Sequence, residues 1–184
     1  MIKPFLSLLF TLFLSACQVP KVDLFKVNNY KDVQPYSVAV SAIDISDNTI
    51  RYTELPHLET RIPVSPAKAL STALSNRFRI AFPGSSNTMR ILIHDASLTQ
   101  ELKESDKWYI LDNMEYLLTY NLDIIYMNEG TETDRQSISG WEKQALPKRN
   151  SIADKEQAWQ KMINAMLQKV TDKIYTDMPT DYKR

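Results

Sequence analysis

Met114-Glu115-Tyr116-Leu117-Leu118-Thr119-Tyr120-Asn121-Leu122-Asp123-Ile124-Ile125-Tyr126-Met127 changes character at almost every step. In an extended chain, Met114, Tyr116, Leu118, Tyr120, Leu122, Ile124 and Tyr126 project to one side, and Glu115, Thr119, Asn121 and Asp123 to the other. This period of two predicts a long strand with one apolar face that has to be covered. Asn128-Glu129-Gly130 supplies turn chemistry, and residues 131–145 can return antiparallel as a more polar strand holding Ile138, Gly140 and Trp141, so the pair predicts a hairpin. The cover follows in the chain. Ser151 and Asp154 have the spacing of a capping box, and Trp159, Met162, Ile163, Met166, Leu167, Val170 and Ile174 form one apolar helical stripe that ends before Met178-Pro179.

Working outward toward the N-terminus, residues 89–100 alternate at Met89, Ile91 and Ile93 and then shift by one at Ala96 and Leu98, which predicts a strand with a bulge near His94-Asp95. Residues 101–112 read as a charged connection carrying Trp108 and Tyr109. Ser65-Pro66 has helix-start chemistry, a capping hydroxyl followed by a residue pre-set for the first turn. The stripe Ala67, Leu70, Leu74, Phe78 predicts a helix to about Ile80, before Pro83-Gly84. Residues 36–45 predict the first strand, with Tyr36, Val38, Val40 and Ala42 out of phase with Ile43 and Ile45 and a bulge near Ala42. Residues 50–55 are expected as a short edge strand. The order strand, helix, strand, strand, strand, helix defines an α+β two-layer sandwich, a mainly antiparallel four-stranded sheet with two helices on one face.

Ahead of this domain stands Leu14-Ser15-Ala16-Cys17, at the end of an apolar run from Phe5 that follows Lys3. The run is shorter than the roughly 20 residues a spanning helix needs, and with its basic flank it reads as a signal peptide. The small residues before Cys17 make it a lipobox, with the Cys17 thiol accepting a diacylglycerol group. Cys17 is the sole cysteine, so an internal disulfide is excluded and acylation accounts for it. Several acyl chains on one residue give stable anchoring. Gln18, in place of an inner-membrane retention residue, points to the outer membrane and its periplasmic face. The expected organisation is a signal peptide over 1–16, a lipidated tether over 17–35, one periplasmic domain over 36–178 and a tail over 179–184. The tether, extended at roughly 3.3 Å per residue, would span about 60 Å.

Composition removes several function classes. Basic and acidic side chains balance at 22 each, so no long-range field attracts nucleic acid. Gly84, Gly130 and Gly140 are the only glycines, too scattered for a phosphate-cradling loop. Neither histidine, His57 or His94, lies in a pattern with a nucleophile, and in a regular strand His94 and Asp95 would point to opposite faces. Ser85-Ser86 after Gly84 reads as loop. Glu115 and Asp123 share a strand face but stand over about 20 Å apart along it. No catalytic residue, metal site or cofactor is expected, and the chain is read as not an enzyme.

Two places remain for binding. Leu117, Ile125 and Met127 interrupt the polar side of the long strand, which no helix covers in a two-layer fold, and are the candidate partner-binding face. Tyr116, Tyr120 and Tyr126 with Met162 and Met166 are core residues or the lining of an acyl-chain groove. Lys143, Lys148 and Arg149 form a modest basic cluster, read as a solvated loop in preference to a contact for lipid phosphate.

The element order behind a lipobox resembles the auxiliary lipoproteins of ABC-type lipid transporters and the lipopolysaccharide-assembly lipoprotein, by topology alone. Val64-Ser65-Pro66-Ala67, Asn76-Arg77-Phe78-Arg79 and Asp95-Ala96-Ser97 resemble segments of uncharacterised alphaproteobacterial lipoproteins. The first resemblance implies a non-enzymatic accessory or assembly subunit in lipid or lipopolysaccharide transport, working with an envelope protein complex. The alternative is a lipid carrier holding an acyl chain between the sheet and the last helix.

Overall fold

The computed structural model describes residues 25–106 and 112–184; the stretch Leu14 to Cys17 read as a lipobox, and Trp108 and Tyr109, lie outside them. The main sheet has four strands in the order β2 (Ala42–Asp47), β4 (Asn87–Lys103), β5 (Asn113–Asn128) and β6 (Thr131–Pro147). The pairs β4–β5 and β5–β6 are antiparallel, and β2–β4 is parallel because α1 (Pro66–Arg77) carries the chain back between them. The long helix α2 (Ile152–Asp177) packs with α1 on one face, giving the α+β sandwich.

The hairpin turns where the sequence places the turn. Glu129 and Gly130 both have positive φ, 50° and 80°, the left-handed pair that matches a two-residue loop to the twist of its strands. Every inward residue of β5 from Tyr116 to Tyr126 is buried, and Leu118, Leu122 and Ile124 are wholly so. Covering each such side chain contributes about 1.5–3 kcal/mol, which is what sets α2 against this face. The Ser151 hydroxyl accepts from the Asp154 amide (3.2 Å) and Asp154 accepts from the Ser151 amide (3.1 Å), so the capping box is complete. In α1, Ser65 accepts from the Lys68 amide.

Four expectations are corrected. Residues 36–45 are not one bulged strand. Val40 N–H closes a tight turn on the Val38 carbonyl, and the chain passes from a small parallel sheet, β1 (Tyr36–Val38) with β3 (Phe78–Ile80), to the main one at β2. The phase shift in the sequence is a change of sheet. The helix expected to reach Ile80 stops at Arg77, and Phe78 to Ile80 form β3; Phe78 continues the helical stripe, but its ring packs on Tyr36 at 5.8 Å in the extended conformation. Residues 50–55 form no strand, and Ile50, Tyr52 and Leu55 are exposed. The free edge of β4 is instead met by the next segment, where Leu58 N–H donates to the Leu98 carbonyl and Gln100 N–H to the Pro56 carbonyl. Finally, the packed unit exceeds 36–178: Tyr30 and Tyr182, 8% and 4% exposed, belong to the same core.

Candidate interaction face

The bulge in β4 falls between Ile93 and Asp95, as the sequence predicts. Its consequence for the side chains is not the predicted one. His94 and Asp95 do not point to opposite faces: His94 Nε2 lies 3.2 Å from Asp123 Oδ2, and Asp95 Oδ2 accepts from Thr119 Oγ1 at 2.7 Å, both partners being outer-face residues of β5. A bulge sets two residues against one, so consecutive side chains can share a face.

Two polar clusters therefore stand on the uncovered side of the sheet. In the first, Asp123 accepts from Ser137 Oγ (2.7 Å) and Arg135 Nη1 (3.0 Å) and faces His94, while Arg135 also forks onto Glu132 at 2.9 Å. The Ser137 hydroxyl, then His94 and Arg135, hold the Asp123 carboxyl below the usual carboxylate range against the opposing effect of partial burial. In the second, Thr119 joins Asp95 and the buried Ser97, the latter at 3.0 Å. The Ser137, Asp123, His94 trio has the residue types of a nucleophilic triad in an unsuitable order, since the serine donates to the carboxylate and not to the imidazole. Among the described residues no group of histidine, cysteine and carboxylate side chains is placed to hold a metal ion.

The candidate partner residues lie on this face but differ in access. Leu117 and Met127 are half-buried, whereas Ile125 is only 6% exposed, in register between Arg90 and Arg135. Sequence reasoning missed a large apolar group of this face: Trp141, opposite Thr119 in register, is 64% exposed. Its position in an alternating strand carries the signal, because Trp141 falls out of phase with the buried Ile138. Glu115 and Asp123 are held apart in separate pairs, Glu115 with Lys143 at 2.7 Å. Lys148 is paired with Asp112 (3.4 Å), so the basic cluster of Lys143, Lys148 and Arg149 is largely neutralised.

The inner face is core. Tyr116, Tyr126 and Met166 are fully buried, and Tyr120 and Met162 nearly so. Tyr116 packs edge-on to Trp159 at 5.8 Å, and Tyr126 to Tyr182 at 4.9 Å. Tyr120 leans across Gly140, where a Cβ would stand 2.4 Å from its hydroxyl oxygen, so the glycine is required by close approach. His57, stacked on Tyr52 at 3.9 Å and 3.6 Å from Glu59, pairs with Thr99 and serves the β4 edge, where Glu59 accepts from the Leu98 amide. No helix among the described residues is long and apolar enough to cross a membrane.

No protein-family model and no curated protein matches the chain. Among solved structures, a neuraminyllactose-binding hemagglutinin homolog from Helicobacter pylori is similar at 13% identity, with 80% of this chain and 86% of that one covered and a TM-score of 0.49. Uncharacterized lipoprotein B from Nitrosomonas europaea is similar at 14% identity, covering 79% and 90%, with a TM-score of 0.44. A minor lipoprotein from Acinetobacter baumannii is similar at 13% identity, covering 74% and 92%, with a TM-score of 0.40. At these scores the likenesses carry no functional weight, and the reading below rests on the chain's own residues.

Proposed function

We propose that this chain is a lipid-anchored envelope lipoprotein, acylated on Cys17 at the periplasmic face of the outer membrane. Its role is that of a non-enzymatic accessory or assembly subunit, in lipid or lipopolysaccharide transport. The anchoring half rests on the Leu14-Ser15-Ala16-Cys17 stretch and the lack of any other cysteine. The accessory half rests on one observation, an uncovered sheet face bearing the exposed Trp141, with half-buried Leu117 diagonal to it and half-buried Met127 farther along β5 toward the hairpin tip. A rigid aromatic on a flat, hydrogen-bonded surface suits protein recognition, where tryptophan and arginine dominate binding energy. The triad-like trio on the same face has no hydroxyl aimed at an imidazole, which supports the non-enzymatic reading.

The carrier alternative requires the layer between sheet and α2 to open, because Tyr116, Tyr126 and Met166 fill it at 0% exposure. The accessory reading is tested by in-cell crosslinking of the full-length, tagged protein. Wild type should capture a transporter component or an outer-membrane barrel, and Trp141→Ser with Met127→Asp should lose it while accumulating normally. Retained capture by the double variant would refute the role of this face. Ile125→Asp is unsuitable, since a charge at a position 6% exposed perturbs folding.

A further inference from the structure

Residues 25–35, expected as a free tether, lie along the helical layer. The Lys26 amide donates to Gln160 Oε1 (3.0 Å) and the Asn28 amide to Asn164 Oδ1 (2.7 Å). From α1, Asn76 Nδ2 donates to the Asn29 carbonyl (2.8 Å) and Arg77 Nη1 to the Gln34 carbonyl. Tyr30 is buried among core residues, and Phe25 and Val27 pack against them. Beyond the segment, the Tyr36 hydroxyl donates to Asp172 (3.1 Å) and its ring stacks on Tyr175 at 3.9 Å. The contacts thus advance along α2 from Gln160 to Tyr175 as the segment advances, so the strap runs parallel to the helix.

Its N-terminal end consequently points toward the N-terminal end of α2. That end is the base of the domain, where β5 begins, β6 ends and Lys148 to Ser151 connect β6 to the helix. The opposite end is the Glu129–Gly130 hairpin tip, about 50 Å away along β5 at roughly 3.3 Å per residue.

We infer that the strap sets both the length and the direction of the anchor, so that the base of the domain rests on the bilayer that holds the Cys17 acyl chains and the hairpin tip points away from it. The inference depends on the acylation of Cys17 proposed above. Fully extended at about 3.6 Å per residue, the chain from Cys17 to Phe25 reaches at most about 29 Å, half the reach of a tether free to residue 35. Gln160 lies about 12 Å from the start of α2 at 1.5 Å per residue, less than half of that leash, whereas the far end of α2, with the hairpin tip, is about 26 Å in the other direction, so reaching it would require the chain to double back along the strap and use nearly the whole leash. Charge plays little part at the base, because Lys148 is paired with Asp112 and Lys103 with Glu101, leaving Arg149, among the described residues, as the cation of the β6–α2 connection without an ion pair. The contact should therefore be the same on zwitterionic and anionic bilayers. In this stance the uncovered sheet face stands beside the membrane, open to a partner.

Acylation consumes the sole cysteine, so one introduced cysteine can be labelled alone. Full-length lipidated protein carrying a donor fluorophore at Arg149→Cys (base) or Thr131→Cys (tip) is reconstituted into phosphatidylcholine vesicles containing an acceptor-headgroup lipid. Energy transfer should be several-fold greater from the base, and unchanged when phosphatidylglycerol is added. Equal transfer from the two labels, or greater transfer from the tip, overturns the inference, and so does a base contact that appears only with the anionic lipid. Gln160→Ala with Asn164→Ala, which removes both strap acceptors, should bring the two signals together and speed tryptic cleavage after Lys26. An unchanged ratio with faster cleavage would show that the strap does not orient the domain. Cleavage no faster than in wild type would show that these acceptors do not hold it. Mass spectrometry of the same preparation separates the readings, since a Cys17 without diacylglycerol defeats the lipoprotein assignment itself.

Discussion

Gly140→Ala tests whether the inner face is packed as described. The new Cβ would stand 2.4 Å from Tyr120 Oη, 2.6 Å from Cζ and 3.1 Å from Cε2. Carbon atoms pack at about 3.5–4.0 Å, so the ring has to retreat by about 1 Å. Tyr120 is 7% exposed and belongs to the buried core, so that movement disturbs side chains already in contact. Overpacking of this kind costs about 1–3 kcal/mol. Removing a glycine from the unfolded chain offsets it by about 0.4–1 kcal/mol, leaving a net destabilisation of about 1–2 kcal/mol. For a protein of this size the melting temperature should fall by about 2–4 °C per kcal/mol. The assay is a double-mutant cycle by thermal or urea unfolding with Tyr120→Leu, which deletes all three clashing atoms. In that background Gly140→Ala should be neutral or slightly stabilising, a coupling of about 1–2 kcal/mol. If Gly140→Ala costs the same with leucine at 120 as with tyrosine, close approach is not the reason for the glycine and the reasoning fails.

Ser151→Ala removes the hydroxyl half of the capping box and should destabilise by about 1 kcal/mol; unchanged urea midpoints would show that the cap contributes nothing to α2. For Asp123 the sign follows from its lowered pKa: the stabilisation is complete above the usual carboxylate range and is lost as pH falls through the lower, folded value. Asp123→Asn should therefore be less stable than wild type at pH 7, with the gap closing in strong acid. Urea midpoints compared at pH 7 and about pH 3 read this directly, and a gap independent of pH would refute it.

Much of the architecture is legible because it is written in local periodicity and in end chemistry. The alternation through β5, the turn at Glu129–Gly130, the β4 bulge and the Ser151–Asp154 cap are each decided by residues close together in the chain, and all stand where the sequence places them. The failures share a cause. Phe78 satisfies a helical stripe and a strand equally well, and residues 50–55 have strand composition but find no edge, because residues 56–58 meet the β4 edge first.

The outer face shows the same division. Leu117, Ile125 and Met127 can be placed on it by counting in twos, but how far each is exposed depends on neighbours from β4 and β6 that no local pattern specifies. The clustering of His94, Asp123, Arg135 and Ser137 required both the bulge and the strand register. By itself, the sequence determined the hairpin, the helix starts and the two-layer class, because these follow from backbone chemistry within a few residues. Only the tertiary structure decided that the chain changes sheet after Val38, that residues 25–35 are strapped to α2 and that Trp141 is left open. Those outcomes depend on which edges and faces remain unfilled once distant segments have met.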